Sequence, residues 1–154
     1  MNICRASIVF VMAMPLVLFA SRGFAFHTDT HFDDTTKHRI VYQLNKADED
    51  YIEHILFSAG EMLRKYGDDI HIVITAFGPG INLLGKQPKR PISALHRQRV
   101  QSLASYGVEF QICGNTMKSL GWGAQDIIEE AKIVPVGVDG LMQLQEQGYS
   151  YVSW

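Results

Sequence analysis

Cys113 is the residue on which covalent chemistry could be built. The chain has two cysteines among 154 residues, and Cys4 stands ahead of an apolar run expected to be removed, which leaves Cys113 without an intramolecular disulfide partner. A lone cysteine in an exported protein is an inert buried thiol, a bridge to another chain, or a reactive nucleophile. Cys113 closes the apolar run Val108 to Cys113, and Gly114-Asn115-Thr116 reads as a tight turn with capping residues for a helix through Met117 to Leu120. A thiol at a strand end, facing the unpaired N–H groups of a helix that starts near Asn115 or Thr116, should be accessible and shifted toward the nucleophilic thiolate. Free cysteines are also among the most often buried residues, so position alone fits a small core side chain equally well.

Other constellations are weaker. Gly78-Pro79-Gly80 with Gly85 does not fit GxGxxG, and Pro79 lacks the N–H that a phosphate cradle would use. His54 and His96 fall within helices and His71 near the start of a strand, at the opposite end from Cys113, so all three read as structural or surface histidines. His27, His31, Asp33, Asp34 and His38 match no metal-site spacing, and no metal or cofactor is expected. No Ser-His-Asp arrangement can be located. Lys89-Arg90, within KQPKRP, reads as a solvated loop tip rather than an anion site.

Strands and helices must alternate to position Cys113. Ile40 to Leu44 reads as a buried strand, and a helix follows with Asp48, Glu49 and Asp50 at its start and Arg64 and Lys65 before Gly67. Ile70 to Phe77 is a strand apolar on both faces, Ile81 to Gly85 a short helical turn, and Leu95, Val100, Leu103 and Tyr106 mark an amphipathic helix ending at Gly107. Beyond Cys113 a helical turn is expected over Asp126 to Ala131, a strand over Ile133 to Val136, a helix over Leu141 to Gln147, and an aromatic strand over Tyr149 to Trp154. This pattern predicts a three-layer α/β/α sandwich with a mostly parallel sheet of about five strands, the last parallel or an antiparallel edge. In such sheets the functional crevice lies beyond the carboxyl ends of the strands, so Asn45, Gly78, Pro79, Gly80 and Val138-Asp139 are expected to share a rim with Cys113.

Composition narrows the class. Hydrophobic residues make up 47% and charged residues 19% of the chain, with a net charge of −2, which excludes a disordered chain and an electrostatic nucleic-acid binder. Met1 to Arg5 is a short positive start, Ala6 to Ala20 an apolar run, and Gly23-Phe24-Ala25 a small-residue exit, so residues 1–25 read as a secretory signal. Residues 26–38 then form a polar arm and residues 39–154 the domain. The mature protein is expected in the periplasm, off the membrane.

Four segments resemble the DsrE/DsrF-like family of small α/β sulfur-relay proteins: IVYQLN, AFGPGINLL, VEFQICGNTMKSLG and VGVDGLMQLQEQGYSYV. The resemblance spans nearly all of Arg39 to Trp154, with Cys-Gly-Asn-Thr-Met its most specific part. It implies a three-layer sandwich, a homotrimer or homohexamer, and a cysteine, matched here by Cys113, that carries sulfur as a persulfide between a donor and an acceptor. Gly114 would then allow a partner's close approach, while Asn115 and Thr116 hydrogen-bond the thiolate or persulfide. The competing expectation is a non-enzymatic oligomeric module that binds a small ligand or partner, with Cys113 merely packing. Cleavage of the signal makes a direct prediction: N-terminal sequencing of exported protein should find a chain beginning at or near Phe26, and an intact Met1 on membrane-embedded material would contradict it.

Overall fold

The computed structural model describes residues 36–154, so the expected signal and most of the polar arm lie outside the described residues. Five strands and four α-helices follow in the order β1 (His38–Leu44), α1 (Glu49–Tyr66), β2 (Ile70–Ala76), α2 (Ala94–Ser105), β3 (Glu109–Cys113), α3 (Gly114–Ser119), β4 (Ala131–Val134), α4 (Gly137–Glu146) and β5 (Ser150–Val152). The sheet order is β4-β3-β2-β1-β5, and every pairing is parallel. The expected α/β sandwich is therefore present, with β5 a parallel edge.

Local chemistry sets the ends of α1. Asp48 caps it by accepting the Tyr51 N–H at 3.0 Å, Glu49 and Asp50 complement the positive end of the helix, and Gly67 at φ 55° terminates it. Its Ile52, Ile55, Leu56 and Ala59 are buried against Ile40, Tyr42, Leu44, Ile72 and Ile74 of the sheet. In α2 the buried positions are His96, Val100 and Leu103, while Leu95 and Tyr106 are exposed. Val100 and Leu103 of the expected stripe therefore face the core, while His96 takes the inward place expected of Leu95 and hydrogen-bonds Glu53 of α1 at 3.1 Å.

The layers are unequal for a topological reason. From β1 to β4 the chain steps across the sheet in one direction, and right-handed crossovers then place the intervening helices on one face. From β4 it returns past three strands to β5, which sends α4 to the opposite face. The side chains agree: α1, α2 and Met117 of α3 join the large cluster, whereas Leu141 and Leu144 of α4 pack with Val41, Val73 and Tyr149 in a small one.

Boundaries after Cys113 differ from the sequence expectation. The helical turn lies at Ala124–Asp126 rather than 126–131, β4 begins at Ala131 rather than Ile133, and α4 starts at Gly137 rather than Leu141. The aromatic C-terminal strand shrinks to three residues, with Trp154 stacked on Tyr42 at 5.8 Å between ring centroids.

Two glycines should respond oppositely to alanine. A Cβ on Gly80 would sit 2.1 Å from the Leu44 carbonyl oxygen, whereas on Gly60, within α1, it would meet only Leu103 at 4.0 Å. Gly80→Ala should destabilise the fold by about 3 kcal/mol or more, and Gly60→Ala should stabilise it by roughly 0.5–1 kcal/mol, both readable by denaturant unfolding.

Candidate functional site

Cys113 ends β3 and at the same time caps α3, whose first helical residue is Gly114. No turn intervenes, so Asn115 and Thr116 lie inside the helix rather than ahead of it. A second helix begins at the same place from the other face. A Cβ on Gly137, the first residue of α4, would lie 3.1 Å from Cys113 Cβ and 3.0 Å from Phe77 Cβ, so only glycine lets α4 come down onto the cysteine. Cys113 pairs with Val134 in the neighbouring strand, and Asn115 N–H donates to the Pro135 carbonyl at 3.1 Å, which ties the start of α3 to the strand end that launches α4. Strands β3 and β4 are neighbours whose following helices leave for opposite faces. This is the switch point at which open α/β sheets bind ligands.

The electrostatics follow from this placement. Burial would push the Cys113 thiol pKa up, but hydrogen bonding from the Thr116 hydroxyl and from backbone N–H groups at the starts of α3 and α4, Thr116 and Gly137 among them, holds it below the ordinary cysteine value. The Thr116 hydroxyl oxygen accepts the Gly78 N–H at 3.2 Å, so its own proton remains available to donate. The depressed pKa stabilises the fold only on the alkaline side: the contribution is present above the pKa of the unfolded thiol and is lost as pH falls through the folded value.

Against the expectation of an accessible thiol, Cys113 exposes only 5% of its surface. Gly114 and Thr116 are half-buried and Asn115 is exposed, so these residues form the outer lip. Of the expected rim, Gly78 reaches the site through Thr116. Pro79 is exposed and its carbonyl accepts from Asn82 Nδ2 at 2.8 Å, while Gly80 is seated on the Leu44 carbonyl. Asn45 is occupied at the β1–α1 junction, its Oδ1 accepting from the Tyr51 hydroxyl at 2.9 Å.

Asp139 does not end a strand. It lies in the first turn of α4, where its carboxylate accepts from Gln143 Nε2 at 2.7 Å, and it lines a groove of about 430 Å³ on the α4 face of the sheet. That groove is floored by His71, Glu109, Gln111 and Lys132 and does not include Cys113. Thr75 Oγ1 donates to Gln111 Oε1 at 3.1 Å, Gln111 Nε2 donates to Glu109 at 2.8 Å, and His71 Nδ1 is hydrogen-bonded to the Tyr149 hydroxyl at 2.6 Å. Burial holds His71 below the usual histidine range although Glu109 pulls it up. Sequence reading missed this polar floor. The alternation in Val-Glu-Phe-Gln-Ile-Cys, which puts Glu109 and Gln111 on one face of β3, is the signal that marks it.

A model of the DsrE/DsrF-like family matches residues 25–154. Among solved structures, a protein of unknown function from Methanobacterium thermoautotrophicum, MTH1491, is similar at 22% identity and a TM-score of 0.68, over 76% of this chain and 99% of that one. The ychN protein from E. coli is similar at 13% identity and a TM-score of 0.63, with the same coverage of each chain. At these identities the likeness concerns the fold. Curated proteins give no significant sequence match.

The hydroxyl of Thr116 can be tested by itself. Thr116→Val keeps the shape and removes the donor, so alkylation of Cys113 by iodoacetamide at neutral pH should slow roughly three- to tenfold, while Thr116→Ser should stay near wild type.

Proposed function

The chain belongs to the DsrE/DsrF-like family, and on that premise we propose that it is a periplasmic sulfur carrier, or sulfurtransferase-like relay, in which Cys113 holds a persulfide. The observation that carries this reading is the meeting of two helix starts at Cys113, which caps α3 while Gly137 of α4 is set against its Cβ. The thiolate attacks the outer sulfur of a donor persulfide; a Cys113 sulfur–sulfur bond forms, the donor's sulfur–sulfur bond breaks, and the donor leaves as a thiolate. An acceptor thiolate then attacks the outer sulfur and Cys113 is released as the thiolate. Sulfur moves without net oxidation, so no cofactor is required. The donors that favour the thiolate also suit a persulfide anion, whose charge extends one atom further into the same cluster of N–H groups.

The 5% exposure favours the alternative in which Cys113 is a packed side chain of an oligomeric binding module. In the carrier reading the enclosure protects a persulfide from oxidation and restricts transfer to a partner that engages the lip at Asn115. A homo-oligomer, with a trimer or hexamer suggested by the family, fits both readings.

Intact mass after incubation with polysulfide, from which a shorter polysulfide leaves, or with thiosulfate, from which sulfite leaves, separates them. The carrier gains the mass of one sulfur atom, reversible by a thiol reductant, and Cys113→Ser gains none. A wild-type protein that gains nothing from any of these donors, and whose thiol reacts with iodoacetamide only after denaturation, is the binding module.

A further inference from the structure

Charge is segregated along this chain. From Ile70 to Val108 there is no aspartate or glutamate, yet Lys86, Lys89, Arg90, Arg97 and Arg99 all fall there, in a protein of net charge −2. Arg99 is paired with Glu53, but the other four have no carboxylate partner among the described residues. Lys86, Lys89 and Arg90 are exposed.

The Lys89 and Arg90 side chains are solvated, as their sequence predicts, but the backbone that carries them is anchored. Asn82, only 2% exposed, accepts the N–H groups of Lys89 at 2.8 Å and Arg90 at 3.1 Å on its Oδ1, and its Nδ2 donates to the Pro79 carbonyl. Lys86 N–H donates to the Asp126 carbonyl at 2.8 Å, and Arg97 Nη1 donates to the Lys86 carbonyl at 3.4 Å, which gathers the loop and the start of α2. The nearby Asp126 carboxylate forms no ion pair with them and accepts instead from Gly123 N–H and Gln125 Nε2. Leu95, 54% exposed, stands in the same turn of α2 as an apolar side chain without cover.

This ledge is joined to the cysteine. Pro79, which anchors Asn82, adjoins Gly78, whose N–H donates to the Thr116 hydroxyl that faces Cys113. We propose that Lys86, Lys89, Arg90 and Arg97, with Leu95, form the docking surface for an acidic face of the protein that exchanges sulfur with Cys113. The proposal rests on the carrier reading and names its partner by charge. A protein surface suits the ledge better than a small anion, because the cations spread over an exposed loop and a helix start around an apolar side chain. Fixed cations on a protein surface accelerate encounter with an acidic partner, and salt removes the advantage.

Two synthetic peptides supply the probe, each with one cysteine held as a mixed disulfide with thionitrobenzoate, flanked by glutamates in one and by lysines in the other. Cys113 thiolate attacks the peptide sulfur, a Cys113–peptide disulfide forms, and the coloured thionitrobenzoate leaves. With the full chain at low salt the acidic peptide should react at least about tenfold faster than the basic one, and the ratio should approach one at about 1 M salt. The combined Lys86→Glu, Lys89→Glu and Arg90→Glu variant should lose the preference while keeping the wild-type iodoacetamide rate. Equal rates with the two peptides, or a preference that survives the charge reversal, overturn the docking surface and leave the carrier reading standing. A change of assembly mass in light scattering on reversal also overturns it, by making the ledge a contact between copies. A thiol that reacts with neither peptide nor iodoacetamide removes the carrier reading and the docking surface together.

Discussion

The structure depends on the direction in which a parallel sheet can be crossed. Because crossovers are right-handed, a chain that adds β2, β3 and β4 in sequence must keep its helices on one face, and the return to β5 must put α4 on the other. The reversal falls between β3 and β4, and both strand ends therefore launch helices within reach of one residue. That residue is Cys113. Its sulfur meets backbone N–H groups from two helix starts, and the enclosure that would raise its pKa is offset by those groups and by Thr116. Glycine at 137 is a consequence of the same geometry, since a Cβ there would press on both Phe77 and Cys113.

Among the described residues, the same reversal leaves the second face with one helix of ten residues over a five-stranded sheet. Under α4 the sheet presents Val41, Val73 and the buried Gln111, and beyond it β3 and β4 present Glu109 and Lys132. Parallel strands usually need cover on both faces, so a half-covered parallel sheet carries polar side chains where cover ends. Gly140 shows how closely α4 is set. A Cβ there would approach Gln111 Oε1 to 3.3 Å, so Gly137 and Gly140 together let one side of the helix lie on the sheet.

Legibility in the sequence followed how local each cause is. Helix α1 could be read because its cap, charges, apolar spacing and terminating glycine all lie within it. Strands β1 and β2 could be read because they are β-branched runs buried between layers. The start of α4 could not: Val136-Gly137-Val138-Asp139-Gly140 has weak helix formers throughout, and both glycines answer to residues more than twenty positions away. Asp139 was misplaced for that reason. Cys113 was found from its position after an apolar strand, but its near-complete enclosure is a tertiary effect of α4, and no local signal could reveal it. His96 likewise turned inward for Glu53, a partner on another helix.

The central claim is that a nearly enclosed cysteine is nevertheless easily ionised, because two helix starts and one hydroxyl outweigh its burial. Thiolate absorbance of the native protein, followed against pH with Cys113→Ser subtracted, tests this most directly. A titration centred below the ordinary thiol value, in protein that remains folded, is the predicted result. A thiol that stays protonated until the fold itself gives way at alkaline pH would contradict the account.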